Sequence, residues 1–213
     1  MYSIINRIAV VTSSGIGREI ALEVSKNGAN VIVNVKKRVE NGNQTFEDIK
    51  KYSSGIMVQA DVSTVEVCKK LQKETLDNLG KCDILVNNAG ISIAKPFLEN
   101  DDMLIDKTTN TNLMSTIYCS KEFGREMRDG TIVNILSIAG IKPMNFIPIY
   151  GITKAAVISL TKYLAIELSE NNVRVNAVAL SVVKTVMGES LLNILNLKDK
   201  EYIWKYTLTN VIS

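Results

Sequence analysis

Two side chains that can take part in proton transfer lie four positions apart in this sequence. Tyr150 and Lys154 would face the same side of a helix, one turn apart. A free tyrosine has a pKa of about 10 and is a poor acid near neutrality, but a nearby ammonium group stabilises the phenolate and lowers that pKa. The spacing therefore predicts a tyrosine that exchanges protons with a bound molecule. Taken alone, the same pattern also describes an ordinary pair on a helix surface.

Three more motifs accompany this pair. Ser137, thirteen residues before Tyr150, follows a strand-like run. Asn87–Gly90 (NNAG) follows another strand-like run, and the glycine turn Ser14–Gly17 lies near the start of the chain. With Tyr150 and Lys154, these motifs resemble those of the short-chain dehydrogenase/reductase family. The resemblance extends through almost the whole chain.

Strand-like and helix-like segments alternate along the chain, which predicts an α/β fold with a parallel sheet. Six strands are expected, at Arg7–Thr12, Asn30–Val35, Gly55–Gln59, Asp83–Asn87, Gly130–Leu136 and Arg174–Ala179. Helices are expected at Ile16–Asn27, Phe46–Tyr52, Val65–Leu79, Asp102–Met127, Ile149–Glu170, Val186–Leu195 and Asp199–Tyr206. Right-handed crossovers would wind them into a doubly wound, Rossmann-like sheet with helices on both faces, in one domain over residues 1–213. A ligand would bind where the strands' carboxyl ends meet.

Composition excludes several classes of protein. The 213 residues carry a net charge of only +3, and no basic stretch suggests nucleic-acid binding. No membrane interaction is expected, since no apolar run approaches roughly 20 residues and the start of the chain lacks the regions of a signal peptide. Three scattered cysteines favour a reducing cytoplasm over a disulfide framework. The absence of histidine excludes a histidine-based triad, and no metal site is predicted.

The glycine turn is the expected binding site for a dinucleotide. Gly15 and Gly17 open the first predicted helix, whose N-terminal N–H groups would face a pyrophosphate. Compared with the family pattern, two residues are missing here, including the first glycine. The resemblance implies cofactor contacts from Thr12, Ser14, Gly15, Ile16, Gly17, Arg18, Lys36, Asp61, Val62, Asn88, Ala89, Gly90, Tyr150, Lys154 and Thr185. From the residues alone, Asp61 is also a plausible helix N-cap.

The end of the second strand indicates which nicotinamide cofactor is used. An acidic residue there would bind the ribose hydroxyls of NAD, whereas cations would accept the extra phosphate of NADP. Asn34 takes that place, Lys36, Lys37 and Arg38 follow it, and Arg18 is a further candidate cation. The sequence therefore favours NADP(H) over NAD(H), although a solvated charged loop is nearly as good an interpretation.

The resemblance implies reversible hydride transfer between the nicotinamide and a carbonyl or alcohol. Ser137 would hold the carbonyl oxygen, Tyr150 would donate a proton, and Lys154 would lower the pKa of Tyr150 and bind the ribose. Asn112 would position a water that connects Lys154 to solvent. From spacing alone, Asn112 would be a helix residue that faces solvent or a backbone carbonyl, and Ser137 a turn former.

Substrate identity is only weakly indicated. The expected lining segments, Ile91–Phe97, Gly140–Ile149 and Val186–Asn196, are mainly apolar. The chain is similar to the 3-oxoacyl-carrier-protein reductases of the family. These often carry an arginine for the acidic carrier near the position of Asn171, and this chain has none there. A sugar, a polyol or another small alcohol is therefore an equal candidate as the small-molecule substrate.

Departures from the family pattern lead to two further expectations. The short glycine turn, Leu180-Ser181 in place of Pro-Gly, and an end at Ser213 would suit a protein that has lost turnover and acts as a binding protein or subunit. The short glycine turn, the few glycines at Arg128-Asp129-Gly130 and the end at Ser213 also suggest a folded polypeptide longer than this sequence, which as given lacks the family's last strand. A homodimer or homotetramer is expected, paired through the long helices Asp102–Met127 and Ile149–Glu170.

Overall fold

The computed structural model describes residues 3–13, 15–36, 39–194 and 210–212. The predicted helix Asp199–Tyr206 lies outside these residues, as do Ser14, Lys37 and Arg38. The expectations placed on them therefore stay predictions.

Seven strands form one sheet in the described part of the chain. They are β1 (Ile8–Thr12), β2 (Asn30–Val35), β3 (Gly55–Gln59), β4 (Ile84–Asn87), β5 (Thr131–Ser137), β6 (Arg174–Leu180) and β7 (Asn210–Ile212). Their order is β3-β2-β1-β4-β5-β6-β7, and β1 to β6 run parallel. The predicted doubly wound fold is thereby confirmed. Every residue of β1 is buried, as expected of a strand covered on both faces.

The sequence predicts a sheet without the family's last strand. In the structure β7 pairs with β6 in the antiparallel direction, with Val211 opposite Val178. Three residues are sufficient to pair part of an otherwise open strand edge, which natural sheets avoid leaving exposed.

Within the residues that the structure describes, seven α-helices connect or flank the strands. They are α1 (Ile16–Lys26), α2 (Val39–Ile49), α3 (Val65–Leu79), α4 (Asp102–Thr109), α5 (Ser115–Gly124), α6 (Pro148–Glu167) and α7 (Val186–Ile194). α2 begins seven residues before its predicted start at Phe46. This earlier start was missed because the buried face of α2 is made of Gly42, Thr45 and Ile49, and only the last of these is a large apolar residue.

The helix predicted at Asp102–Met127 is interrupted. A π-helical turn, Asn110–Met114, separates α4 from α5, and α5 ends at Gly124. Such turns need bonding partners outside the helix and often mark functional sites. Sequence periodicity does not reveal them.

The core lies on both faces of the sheet, since alternate residues of each strand point in opposite directions. Ile8 and Val10 of β1 pack in a cluster with Leu71 of α3, whereas Ala9 and Val11 pack with Ala21 of α1. The strand order reverses beside β1, which lies between β2 and β4. In sheets of this kind, ligands bind at the carboxyl ends of the strands near this switch point.

One helical stretch among the described residues, Pro148–Asn171, is long and apolar enough by length and composition to cross a bilayer. The sequence expectation of no such run is therefore wrong on this criterion. A core helix passes the same test, and α6 packs on the sheet through Val157. A single helix of this kind is weak support for membrane insertion.

Candidate active site

The first turns of α6 carry the predicted proton-transfer pair. α6 begins at Pro148, whose fixed φ and missing N–H suit the first turn of a helix. Lys154 is only 5% exposed, and its Nζ donates a 2.7 Å hydrogen bond to the carbonyl oxygen of Ile135 in β5. The same Nζ lies 5.7 Å from the centre of the Tyr150 ring. The lysine is therefore fixed to the sheet beside the tyrosine.

Ser137 lies at the carboxyl end of β5 and faces the same place. Its hydroxyl accepts a 3.1 Å hydrogen bond from the N–H of Ala139, and a side-chain hydrogen bond connects it to Tyr150. The following turn, Ile138–Gly140, packs directly on α6. A Cβ atom at Gly140 would lie 2.7 Å from the carbonyl carbon of Lys154, so only glycine permits this approach.

Burial governs the pKa values of both proton-transfer groups. Desolvation raises the pKa of Tyr150 above its usual value, and the hydrogen bond with Ser137 offsets only part of this effect. The sequence predicts the opposite direction, because spacing reveals the neighbouring lysine but not the burial. Desolvation also lowers the pKa of Lys154, to about 8. Near neutral pH, Tyr150 thus holds its proton while most Lys154 side chains remain charged.

Asn112 lies in the π-helical turn and is fully buried. Of the two environments that spacing alone suggests, solvent and a backbone carbonyl, it has the second. Its Oδ1 accepts a 2.7 Å bond from the N–H of Ile91, and its Nδ2 donates a 2.9 Å bond to the Ile91 carbonyl. The same Nδ2 donates to the hydroxyl of Thr153, at 3.2 Å. Asn112 therefore connects α6 to the loop that follows β4.

Thr12 and Gly17 do not line the cavity but contact the segment that follows β4. The Thr12 hydroxyl accepts hydrogen bonds from the N–H groups of Asn88 and Ala89, at 3.0 and 3.1 Å. A Cβ atom at Gly17 would lie 2.6 Å from Asn88 Nδ2. These contacts hold the segment after β4 against the carboxyl end of β1.

The short glycine turn still leaves room for a ligand. Gly15 has a φ of 73°, and a Cβ atom built there would have no neighbour within 4 Å. It lies at the N-terminus of α1, where N–H groups and the helix dipole favour a phosphate. Ser13 also adopts a positive φ, of 67°, which is uncommon for a serine and reflects how short the turn is.

The candidate cations are placed differently from one another. Lys36 lines the cavity, where its Nζ lies 2.5 Å from Asp61 Oδ2. Arg18 is paired with Glu19 and Asp48 and does not line the cavity. Of the candidate cations in the described residues, only Lys36 therefore reaches the ligand space.

Asn34 also lines the cavity, but its amide is already engaged. Its Nδ2 donates to the carbonyl oxygens of Val58 and Ala60, at 3.3 and 3.0 Å. The side chain is 1% exposed. It therefore secures β2 to β3 and leaves the end of β2 without a carboxylate for ribose hydroxyls.

A cavity of about 560 Å³ follows the carboxyl ends of the strands. It brings most of the predicted site residues together, namely Gly15, Ile16, Lys36, Asp61, Val62, Asn88, Ala89, Gly90, Ser137, Tyr150, Lys154 and Thr185. Thr12, Gly17, Arg18 and Asn112 lie outside its lining. Its volume lies within the range usual for ligand-binding pockets.

The substrate end of this cavity is mainly apolar. Ile91, Met144, Ile147, Met187 and Leu191 line it, in the three segments expected from the sequence. Ser92 and Ser190 are the polar side chains interleaved with them.

Thr185 lies at the entrance to α7. Its hydroxyl accepts a 3.1 Å bond from the N–H of Gly188. Leu180 and Ser181, which replace the family's Pro-Gly, also line the cavity. The substituted loop therefore still runs along the ligand space.

Sequence reasoning missed several contacts of the site. Gly140, the carbonyl of Ile135 and the hydroxyl of Thr153 all lie against the proton-transfer pair. The glycine three positions after Ser137 was a visible signal. The other two depend on how β5 and α6 pack.

A doubly wound sheet with serine, tyrosine and lysine at the carboxyl ends of its strands defines a nicotinamide-dependent oxidoreductase. Residues 7–194 match the model of the short chain dehydrogenase family. The chain therefore belongs to this family, as its motifs predict, and catalyses reversible hydride transfer between a nicotinamide and a carbonyl or alcohol.

Known relatives agree with this assignment. The 3-oxoacyl-[acyl-carrier-protein] reductase of Staphylococcus epidermidis is 35% identical over 201 residues, which cover 92% of this chain and 82% of that protein. A putative short-chain alcohol dehydrogenase from Sinorhizobium meliloti 1021 is 33% identical, with a TM-score of 0.85 over 91% of this chain and 79% of its own. A short chain dehydrogenase from Burkholderia cenocepacia J2315, in complex with NADP, is 29% identical. Its TM-score is 0.84, over 87% of this chain and 78% of its own.

Proposed function

We propose that this protein is an NADP(H)-preferring reductase of small carbonyl compounds, in which Ser137, Tyr150, Lys154 and Asn112 form the catalytic group. The observation that carries the proposal is the single cavity lined by Lys36 at one end and by Ser137, Tyr150 and Lys154 at the other. A cation thus lies at the expected place of a ribose phosphate, and a proton donor at the expected place of a carbonyl.

Each catalytic side chain has a distinct task. A bound nicotinamide supplies the hydride to the carbonyl carbon in the reductive direction. The Ser137 hydroxyl holds the carbonyl oxygen, and Tyr150 donates its phenolic proton to that oxygen. A pKa raised by burial keeps this proton on Tyr150 until the substrate oxygen gains negative charge. The charge of Lys154 then stabilises the phenolate that remains.

The preference for NADP(H) rests on the end of β2. That strand end carries no carboxylate, since its residue is Asn34. The Asn34 amide is moreover engaged with the carbonyls of Val58 and Ala60. Lys36 is available once its pairing with Asp61 is exchanged for a phosphate. The NADP complex of the Burkholderia relative is consistent with this preference.

The substrate is proposed to carry an apolar group beside its carbonyl. Met144, Ile147, Met187 and Leu191 provide the surface for it. The similarity to a 3-oxoacyl-[acyl-carrier-protein] reductase favours an acyl chain. A small sugar or polyol is the second candidate, and the interleaved Ser92 and Ser190 are the observation that favours it.

A homo-oligomer is proposed from the exposed face of the helices. Ile152, Tyr163 and Ile166 of α6 and Met103 of α4 are large apolar side chains between 57% and 82% exposed. Pairing two copies through these helices would remove them from water. Light scattering at micromolar concentration tests the assembly, and a monomer would contradict it.

We also propose that residues 1–213 form one domain and that the protein is cytoplasmic.

The test of function is direct. Purified protein is assayed for oxidation of NADPH and NADH with a short 3-oxoacyl thioester, an aliphatic ketone and a ketose. We expect turnover of at least one carbonyl and a higher kcat/KM with NADPH. Binding of neither cofactor by calorimetry would contradict the proposal and would favour the alternative of an inactive binding or subunit protein. In the described residues, no observation favours that alternative.

A further inference from the structure

The hydroxyl of Thr153 occupies a junction between the catalytic helix and the buried amide of Asn112. It donates a 2.7 Å bond to the carbonyl of Tyr150, one turn back in α6. It accepts a 3.2 Å bond from Asn112 Nδ2. Thr153 is only 2% exposed and does not line the cavity. The side chain therefore touches two proposed catalytic residues without meeting the ligand itself.

The direction of each bond is fixed by the donors present. A hydroxyl has one proton, and Thr153 uses it on the Tyr150 carbonyl, so its lone pair faces the amide of Asn112. That amide then has both protons and its oxygen engaged, because it also exchanges two bonds with the backbone of Ile91. Rotating the amide by 180° would oppose its oxygen to the Ile91 carbonyl. The network permits one orientation.

This fixed amide holds the cavity wall. Ile91 lines the cavity and directly follows Gly90. A Cβ atom at Gly90 would lie 3.5 Å from Asn112 Oδ1 and 3.6 Å from Lys154 Nζ, so the amide and the ammonium both face Gly90 on the side where a side chain would project. A displacement of the Asn112 amide would therefore affect both the loop and Lys154.

We propose that Thr153 is a positioning residue, whose hydroxyl anchors the Asn112 amide to α6 and thereby holds the loop after β4, which carries Ile91, against the catalytic helix. The effect on turnover rests on the proposed function, whereas the effect on the loop does not. In Thr153→Val the shape is kept, but one N–H of a fully buried amide loses its acceptor. The two bonds to Ile91 still oppose a flip, but the amide loses its connection to α6 and is held in place less firmly.

The test uses three variants on one helix. Thr153→Val removes the hydroxyl, and Thr153→Ser retains it. Thr161→Val is the matched control, because the Thr161 hydroxyl makes the same kind of junction, accepting from Asn134 Nδ2 at 2.9 Å and donating to the Val157 carbonyl at 2.7 Å. Thr161 is also buried and, like Thr153, does not line the active-site cavity.

The first readout is amide hydrogen exchange at Ile91 in the cofactor-free protein, measured by nuclear magnetic resonance. The Ile91 N–H donates to Asn112 Oδ1, so it reports directly on the amide. We expect exchange about tenfold faster in Thr153→Val, and rates near wild type in Thr153→Ser and Thr161→Val. Unchanged exchange in Thr153→Val, or equal acceleration in Thr161→Val, would overturn the proposal. If Thr153→Val does not fold, Thr153→Ala is measured in the same way.

The second readout is the split between kcat and KM. Thr153→Val is expected to lower kcat about tenfold with KM nearly unchanged, and Thr153→Ser to restore kcat. A wild-type protein that reduces no carbonyl would refute the proposed function, while the exchange rates would still decide the role of Thr153. Normal kcat in Thr153→Val, beside a wild type that turns over, would overturn the positioning role.

Discussion

Lys36 and Asp61 form an ion pair across the ligand cavity, with 2.5 Å between Nζ and Oδ2. Partial burial acts to raise the pKa of Asp61, but hydrogen bonds from Lys36 and Ser63 outweigh it and hold that pKa below its usual range. The cation expected to bind the NADP phosphate thus already has a carboxylate partner. A phosphate must compete with that carboxylate for Lys36.

Replacing Asp61 should therefore strengthen the preference for NADPH. In Asp61→Asn, Lys36 loses its counter-charge and meets a phosphate without competition. Both side chains are more than a third exposed, so the gain is modest, about twofold to fivefold in the ratio of Kd for NADH to Kd for NADPH. Calorimetric titration with each cofactor measures this ratio.

Two controls define the Lys36 interpretation. Lys36→Met should lower the same ratio, and Arg18→Ala should leave it unchanged, because Arg18 is engaged with Glu19 and Asp48 outside the cavity. A ratio that falls in Asp61→Asn would show that the carboxylate assists NADPH binding and would contradict the prediction.

Tyr150→Phe should abolish carbonyl reduction while preserving the fold and cofactor binding. The substitution removes only the phenolic O–H, which is the proposed proton donor and the partner of Ser137. General acid catalysis contributes about 100-fold or more, so kcat should fall by at least that factor. Steady-state kinetics with a responsive ketone and NADPH provide the measurement.

Tyr163→Phe is the matched control for that experiment. Tyr163 lies on the same helix but is 71% exposed. Its kcat should equal that of the wild type. If Tyr150→Phe kept more than about a tenth of kcat, Tyr150 could not be the acid.

Much of this fold could be predicted from sequence, because the central strands are buried on both faces. Such strands read as continuous apolar runs, and the predicted bounds of β2 equal those observed. The start of α2 was missed, since Gly42 and Thr45 occupy its packing face. Small and polar residues at contact positions do not produce an apolar stripe.

The site was less predictable where it depends on packing between distant segments. The motifs located Ser137 and Tyr150 at the ligand cavity, since each belongs to a strand end or helix start. The direction of the Tyr150 pKa shift was not accessible, because it follows from desolvation. Spacing along one helix also cannot show that Asn112 is bonded to Ile91 across a loop.

Gly140→Ala should damage both stability and turnover. Its new Cβ atom would lie 2.7 Å from the Lys154 carbonyl carbon and 2.8 Å from the Ala155 nitrogen, and these backbone atoms cannot move without shifting α6. Overpacking of this kind costs about 1–3 kcal/mol of unfolding free energy. Separating the Ser137 turn from the catalytic helix should also lower kcat at least about tenfold. Urea denaturation and steady-state kinetics measure the two effects.

Gly124→Ala provides the comparison for that variant. Its Cβ atom would approach only the end of the flexible Leu168 side chain, at 3.2 Å, and alanine favours the helix there by up to about 1 kcal/mol. Little change in stability or kcat is expected. If Gly140→Ala behaved like Gly124→Ala, the close approach of the turn to α6 would be unnecessary for function.

The buried ammonium of Lys154 should make stability depend on pH in a defined window. Burial lowers its pKa from 10.5 to about 8 in the folded protein. Between these values the unfolded chain binds more protons than the folded one, so stability rises with pH. Below pH 8 the full penalty, about 3 kcal/mol, is present, and above pH 10.5 it is lost. Lys154→Met lacks this group and should lack this dependence.

The measurement is the difference in unfolding free energy between Lys154→Met and the wild type, from urea denaturation at pH 7 and pH 10. Whatever its value at pH 7, the difference should shift in favour of the wild type by about 2–3 kcal/mol at pH 10. Titrating groups far from Lys154 are common to both proteins and cancel. Lys162→Met, at an exposed position on the same helix, is the control and should show no such shift. A difference independent of pH would mean that Lys154 is not held in a desolvated site, and that its charge beside Tyr150 is no more costly than that of a surface lysine.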